Sequence, residues 1–115
     1  MEQLWKATHH SMKGLQFVFQ HEAAFRKEAL VFILSIPIAF FLAPDWLWFA
    51  AMVGVFLVMM AIELLNTGLE KLADHVTPEQ HPPIGIVKDC GSAAVFCGLC
   101  LGGVIWICGV LTRFF

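Results

Sequence analysis

Residues 46–74 read WLWFAAMVGVFLVMMAIELLNTGLEKLAD, and this stretch decides the fold. Seventeen apolar residues, Trp46 to Ile62, run without a charge. Glu63, Asn66, Thr67, Glu70, Lys71 and Asp74 then follow, with no helix breaker before Pro78 and the Pro82-Pro83 pair. One long helix is the consequence, apolar enough for lipid over its first part and protruding into water over its last. Trp46 and Trp48 mark its far end, at the depth where indole rings settle in a bilayer.

The polar part of this helix is ordered. With Glu63 as origin and about 100° per residue, Asn66 falls near 300°, Glu70 near 340° and Asp74 near 20°, while Leu65 and Leu72 lie opposite. A carboxylate at the end of a long apolar helix is costly, and it faces a bundle or a cavity more often than lipid. A capped, solvated helix end accounts for Glu70 and Asp74 but not for Glu63, which directly follows the apolar run.

The rest of the chain fits a membrane protein. It has 115 residues, is 59% hydrophobic and only 14% charged, too apolar for a soluble domain of this size. A net charge of −2 without a basic run gives no sign of nucleic acid as a partner. Residues 1–28 carry Lys6, Lys13, Glu22, Arg26, Lys27 and Glu28 among the apolar ones and do not read as a secretory signal peptide. From Leu4 to Phe19, Leu4, Trp5, Thr8, Met12, Leu15, Val18 and Phe19 share one helical sector, with Lys6, His9, Lys13, Gln16 and Gln20 opposite and Phe17 the exception. That pattern predicts an amphipathic helix on the membrane surface, residues 1–21. A first span is expected over 25–43: the apolar run Ala29–Ala43 rises only about 22 Å against a roughly 30 Å hydrocarbon layer, so the helix begins earlier and Arg26 and Lys27 snorkel. Pro37 lies inside it as a candidate kink. The second span is expected over 46–76 and the third over 90–112, where Gly98, Gly102 and Gly103 allow close helix approach.

The expectation is thus an all-α membrane protein, one domain over 1–115, with three transmembrane helices and a surface helix. Basic residues gather before the first span (Lys6, Lys13, Arg26, Lys27) and around the loop after the second (Lys71, Lys88). The positive-inside rule therefore puts the N-terminus in the cytoplasm and the C-terminus outside. Cys90, Cys97, Cys100 and Cys108 have no zinc-type partners and read as free thiols.

Two further features carry chemistry. Glu22 and Glu28 flank the junction of surface helix and first span. Either Glu22 meets a partner or a metal, or His21 to Glu28 is a salt-bridged connector. Lys88-Asp89-Cys90-Gly91-Ser92 opens the last span, with Lys88 a candidate phosphate contact, Ser92 a candidate hydrogen-bond donor, and an ordinary helix start the plainer alternative. The three features share one membrane face. Carboxylates with few other ligands suit Mg²⁺, which often arrives with phosphate. A further carboxylate can accept a proton from an attacking hydroxyl. Neither the P-loop nor the glycine loop of protein kinases is present.

At these residues the chain resembles the small prokaryotic integral-membrane diacylglycerol kinases. The matching stretches are Glu22-Ala23-Ala24-Phe25-Arg26, Glu63-Leu64-Leu65-Asn66-Thr67-Gly68-Leu69-Glu70 and Lys88-Asp89-Cys90-Gly91-Ser92-Ala93-Ala94-Val95, with Ser11-Met12-Lys13-Gly14-Leu15 in the surface helix. The resemblance implies a homotrimer with sites shared between subunits, which transfers the ATP γ-phosphoryl group to diacylglycerol at the cytoplasmic face of the bacterial inner membrane. It implies Glu63 as the base and Glu22 and Glu70 as the Mg²⁺ ligands. His10, Asn66, Asp74, Lys88 and Asp89, with Glu79, Gln80 and His81 near the adenine, would complete the ATP site. Ser11, Ala24, Arg26, Glu28 and Ser92, beside Glu63, would line the lipid site. Gln3, His10 and residues 82–86 depart from the family pattern, where an arginine, an aromatic and a more polar loop are usual. Undecaprenol kinase is the alternative on the same scaffold, with the order Gly91-Ser92-Ala93-Ala94 favouring diacylglycerol. A small transport subunit is the alternative from another class, but it would keep an acid deep within a span.

Overall fold

The computed structural model describes residues 1–77 and 82–115. They form four helices, α1 (Glu2–His21), α2 (Ala23–Leu42), α3 (Trp46–Val76) and α4 (Pro82–Phe114), with no strand among the described residues. Glu79, Gln80 and His81, expected near the adenine, lie outside those residues.

The corner between α1 and α2 is a single residue. Glu22 adopts extended backbone (φ −118°, ψ 111°), ending one helix and starting the next. The Arg26 guanidinium reaches back from α2 and donates to the carbonyls of Phe19 (2.7 Å) and Gln20 (3.1 Å). These are among the last carbonyls of α1, which lack intrahelical donors, and the positive charge also suits the helix C-terminus. At the other end of α2 the chain turns through Ala43, Pro44 and Asp45. The Asp45 carboxylate accepts from the Trp48 backbone N–H at 2.9 Å and caps α3.

Helix α4 begins earlier than expected. Pro82 and Pro83 lie in its first turn rather than in a loop, because proline there gives up N–H groups that have no intrahelical acceptor. Asp89 is therefore two turns into α4, not at its start.

The α3–α4 pair packs along a glycine seam. Gly91, Gly98, Gly102 and Gly109 are all buried and recur at intervals of seven, four and seven residues, the spacing of one helix face. Ile62 lies against Gly98, Met59 against Gly102, and Met52 and Trp48 against Gly109. Gly103, expected in the seam, faces open space. Trp106 spans the same interface, its indole N–H donating to the Met52 carbonyl at 2.9 Å. Helix α2 packs mainly on α3, buries Phe25, Ser35 and Ala39, and continues unbroken through Pro37. Of α1, only Val18 is buried.

Most large apolar side chains point outward, among them Phe41, Leu47 and Leu65 at 71, 80 and 76% exposure. In water such a surface would associate. In a bilayer it is the surface that meets the solvent. Helices α3 and α4 are long and apolar enough to cross a membrane. Helix α2 is more mixed: any 18 consecutive residues of it include Arg26, Lys27 and Glu28, and its uncharged part, Ala29–Leu42, spans about 21 Å.

Candidate active site

Glu63 stands where the apolar run of α3 gives way to its polar end, half-buried against the start of α2. Its charge interacts with those of Glu22 at the α1–α2 corner, Glu70 two turns along α3, and Glu28 on α2. The break at Glu22 makes this possible, since an unbroken helix would carry that carboxylate elsewhere. Among the described residues, 21–28 form no salt bridge: Arg26 bonds backbone carbonyls at the corner, whereas Glu22 and Glu28 are near enough to Glu63 to interact with its charge. Glu28 keeps one buried carboxylate oxygen without a hydrogen-bond partner among the described residues.

Asn66 lies on the α4 side of the arc. Its amide nitrogen donates to Glu70 Oε1 at 3.4 Å, and its oxygen is buried against Gly91. One turn beyond Glu70, Asp74 accepts from Lys88 Nζ at 2.7 Å. Both partners are substantially exposed, at 42% for the Lys88 side chain and 59% for Asp74. The pair therefore contributes little to stability, under about 1 kcal/mol, and leaves the ammonium within reach of an anion.

The remaining candidates sit farther out. Ser11 donates to the Ala7 carbonyl and lines a groove of about 620 Å³ between α1 and α3, with Lys13, Phe17, Thr67 and Lys71. Phe17, the exception to the amphipathic pattern, turns toward α3, stacks on His21 at 4.2 Å and lies under Lys71 Nζ at 5.9 Å. His10 is exposed beside His9, and Ala24, Asp89 and Ser92 are exposed on the protomer surface. The structure of one chain thus gathers Glu22, Glu28, Glu63, Asn66 and Glu70, pairs Asp74 with Lys88, and does not bring His10, Ser11, Ala24, Asp89 or Ser92 into that cluster.

The donor set is all carboxylate and amide oxygen, with no group of three or more His, Cys, Asp or Glu among the described residues that would cage a cation alone. Two carboxylates completed by phosphate oxygens are a normal Mg²⁺ environment, so the residues fit a cation that arrives with a nucleotide.

Comparison with known proteins gives the family. The sequence model of the family described as prokaryotic diacylglycerol kinase matches residues 9–110. The chain belongs to that family. It is 39% identical to the diacylglycerol kinase of Haemophilus influenzae over 103 residues, 90% of this chain and 87% of the relative. The corresponding enzyme of Pseudomonas aeruginosa is 38% identical over 92% of this chain and 86% of its own length. That of Escherichia coli K12 is 34% identical over 88% and 83%. As a member of the prokaryotic diacylglycerol kinase family the chain is a lipid kinase, with ATP as co-substrate, and its apolar helices suit a membrane enzyme.

The sequence reading missed two roles. The fork of Arg26 onto α1 left no local signal, because its partners lie across a chain break in helix geometry. The seating of Asn66 on Gly91 had one, the seven-residue interval from Gly91 to Gly98.

Proposed function

We propose that this chain transfers the γ-phosphoryl group of ATP to the free hydroxyl of diacylglycerol, forming phosphatidic acid at the cytoplasmic face of the bacterial inner membrane. The observation that carries the reading is Glu63 at the end of an apolar helix, with Glu70 two turns along the same face and Glu22 and Glu28 near enough to interact with its charge, in a chain of a lipid-kinase family.

Phosphoryl transfer needs alignment and charge neutralisation more than covalent chemistry. Glu63, at the border between apolar and polar surface, accepts the proton of the lipid hydroxyl as its oxygen attacks the γ-phosphorus and ADP leaves. Glu22 and Glu70 hold Mg²⁺, which when bound offsets the phosphate charge. Asn66 orients Glu70. Lys88, held by Asp74 and free to share its ammonium, takes a phosphate oxygen. Asp89 completes the phosphate end, and Glu79, Gln80, His81 and His10 are assigned to the nucleotide by resemblance alone. Glu28, Ser92, Ser11, Ala24 and Arg26 are assigned to the lipid side on the same ground.

The exposed positions of Asp89 and Ser92 are accounted for by a homotrimer in which a neighbouring subunit completes each site. Helix α2 is read as a third span that lets Arg26 and Lys27 snorkel, and α1 as lying on the cytoplasmic surface.

Undecaprenol is the rival acceptor, and the relatives compared above are all diacylglycerol kinases. The test is phosphate transfer by the purified chain in lipid micelles with ATP and Mg²⁺, run in parallel on the two alcohols. Diacylglycerol should be phosphorylated faster. Faster turnover of undecaprenol, or turnover of neither, contradicts the proposal.

A further inference from the structure

The glycine seam of α4 changes character at its Gly91 end. Gly98, Gly102 and Gly109 receive ends of apolar side chains from α3, whereas Gly91 receives the amide of Asn66. A Cβ at Gly91 would overlap Asn66 Oδ1 and stand 3.3 Å from its Cγ and from Leu69 Cδ2, the flexible end of an apolar side chain. That oxygen is buried with no hydrogen-bond partner among the described residues. Enclosing an unpaired carbonyl is costly, so packing holds the amide against its own solvation. The other amide atom donates to Glu70 Oε1. An ionised carboxylate only accepts, so the nitrogen must face Glu70 and the oxygen must occupy the notch. Glycine inside a helix is destabilising relative to alanine, and here the absent side chain is what admits the amide.

We propose that Gly91 is a positioning residue for the kinase reaction: its notch seats Asn66 on α4 so that the amide holds the Glu70 carboxylate in place. The inference rests on the reading of Glu70 as a ligand of the nucleotide-bound cation. A side chain at position 91 displaces Asn66, and Glu70 then loses its only side-chain partner among the described residues.

The test uses the full chain in lipid and reads Mn²⁺ binding by electron paramagnetic resonance in the presence of a non-hydrolysable ATP analogue. Gly91→Ala and Asn66→Ala should each weaken Mn²⁺ binding about tenfold, the usual scale for a residue that orients a metal ligand. The double variant should bind no more weakly than Asn66→Ala alone, because the amide that Gly91→Ala obstructs is already gone. Gly98→Ala, whose Cβ would meet the flexible end of Ile62 at 3.2 Å, should retain native affinity. Losses that multiply in the double variant, native binding by Gly91→Ala, or an equal loss in Gly98→Ala would each overturn the inference. Should Gly91→Ala fail to fold, the double variant should restore folding, and its failure to do so also overturns the proposal. Glu70→Gln separates the two claims: native Mn²⁺ affinity in that variant refutes the ligand reading itself, whatever the glycine variants show.

Discussion

Lys88 and Asp74 make the one side-chain ion pair among the described residues, and both remain open to solvent. A structural role and a nucleotide-binding role predict different outcomes when it is cut. Lys88→Met should leave thermal stability nearly unchanged, by less than about 1 kcal/mol. It should raise the KM for ATP about tenfold or more, the scale of a lost charged hydrogen bond. Unfolding melts and ATP titrations of the same preparation check this, and a large loss of stability with native KM would make the pair structural. At this scale much of the site was legible beforehand. The arc from Glu63 to Asp74 follows from helical periodicity, and an acid directly after a long apolar run has few purely structural explanations. The direction of Glu22 was not legible, because it depends on a one-residue break in which no glycine or proline announces a turn.

Among the elements, α3 and α4 form the frame, and their contact is set by glycine. Gly109 is its tightest apolar position: a Cβ there would lie 2.8 Å from Met52 Sδ and 3.3 Å from Trp48 Cε3. The methionine can yield, but the indole belongs to the capped first turn of α3 and yields less. Gly109→Ala should therefore destabilise the fold by about 1–3 kcal/mol, the cost of overpacking, without changing the KM for ATP. Thermal unfolding in detergent with parallel kinetics measures both, and unchanged stability would mean that the seam repacks freely. The Asp45 carboxylate caps α3, a local signal that the sequence reading did not use. The expected boundary failed at Pro82-Pro83, since a proline pair reads equally as a breaker or as the first turn of a helix. The seam itself was half seen: Gly98, Gly102 and Gly103 were all expected in it, yet Gly103 faces open space, since neighbouring glycines differ by about 100° and periodicity must be anchored by a partner to choose between them.

For the whole molecule, the proposed arrangement has an odd number of spans, so the two termini must lie on opposite sides of the membrane. In a cysteine-free background, Phe115→Cys should react with a membrane-impermeant thiol reagent applied to spheroplasts, and Gln3→Cys should react only after lysis. Labelling of both from one side would remove α2 from the membrane or the surface helix from the cytoplasm. The central claim is chemical: a carboxylate on α3 takes the proton of a lipid alcohol beside a nucleotide held by its neighbours. The direct measurement is kcat for diacylglycerol phosphorylation by Glu63→Gln in lipid micelles, with oligomeric state and ATP-analogue binding followed in the same preparation. The substitution keeps the size of the side chain and removes its basicity, so kcat should fall by about 10²–10⁴, the usual contribution of a general base, while assembly and nucleotide binding persist. A variant that turns over at the native rate would show that the proton goes elsewhere.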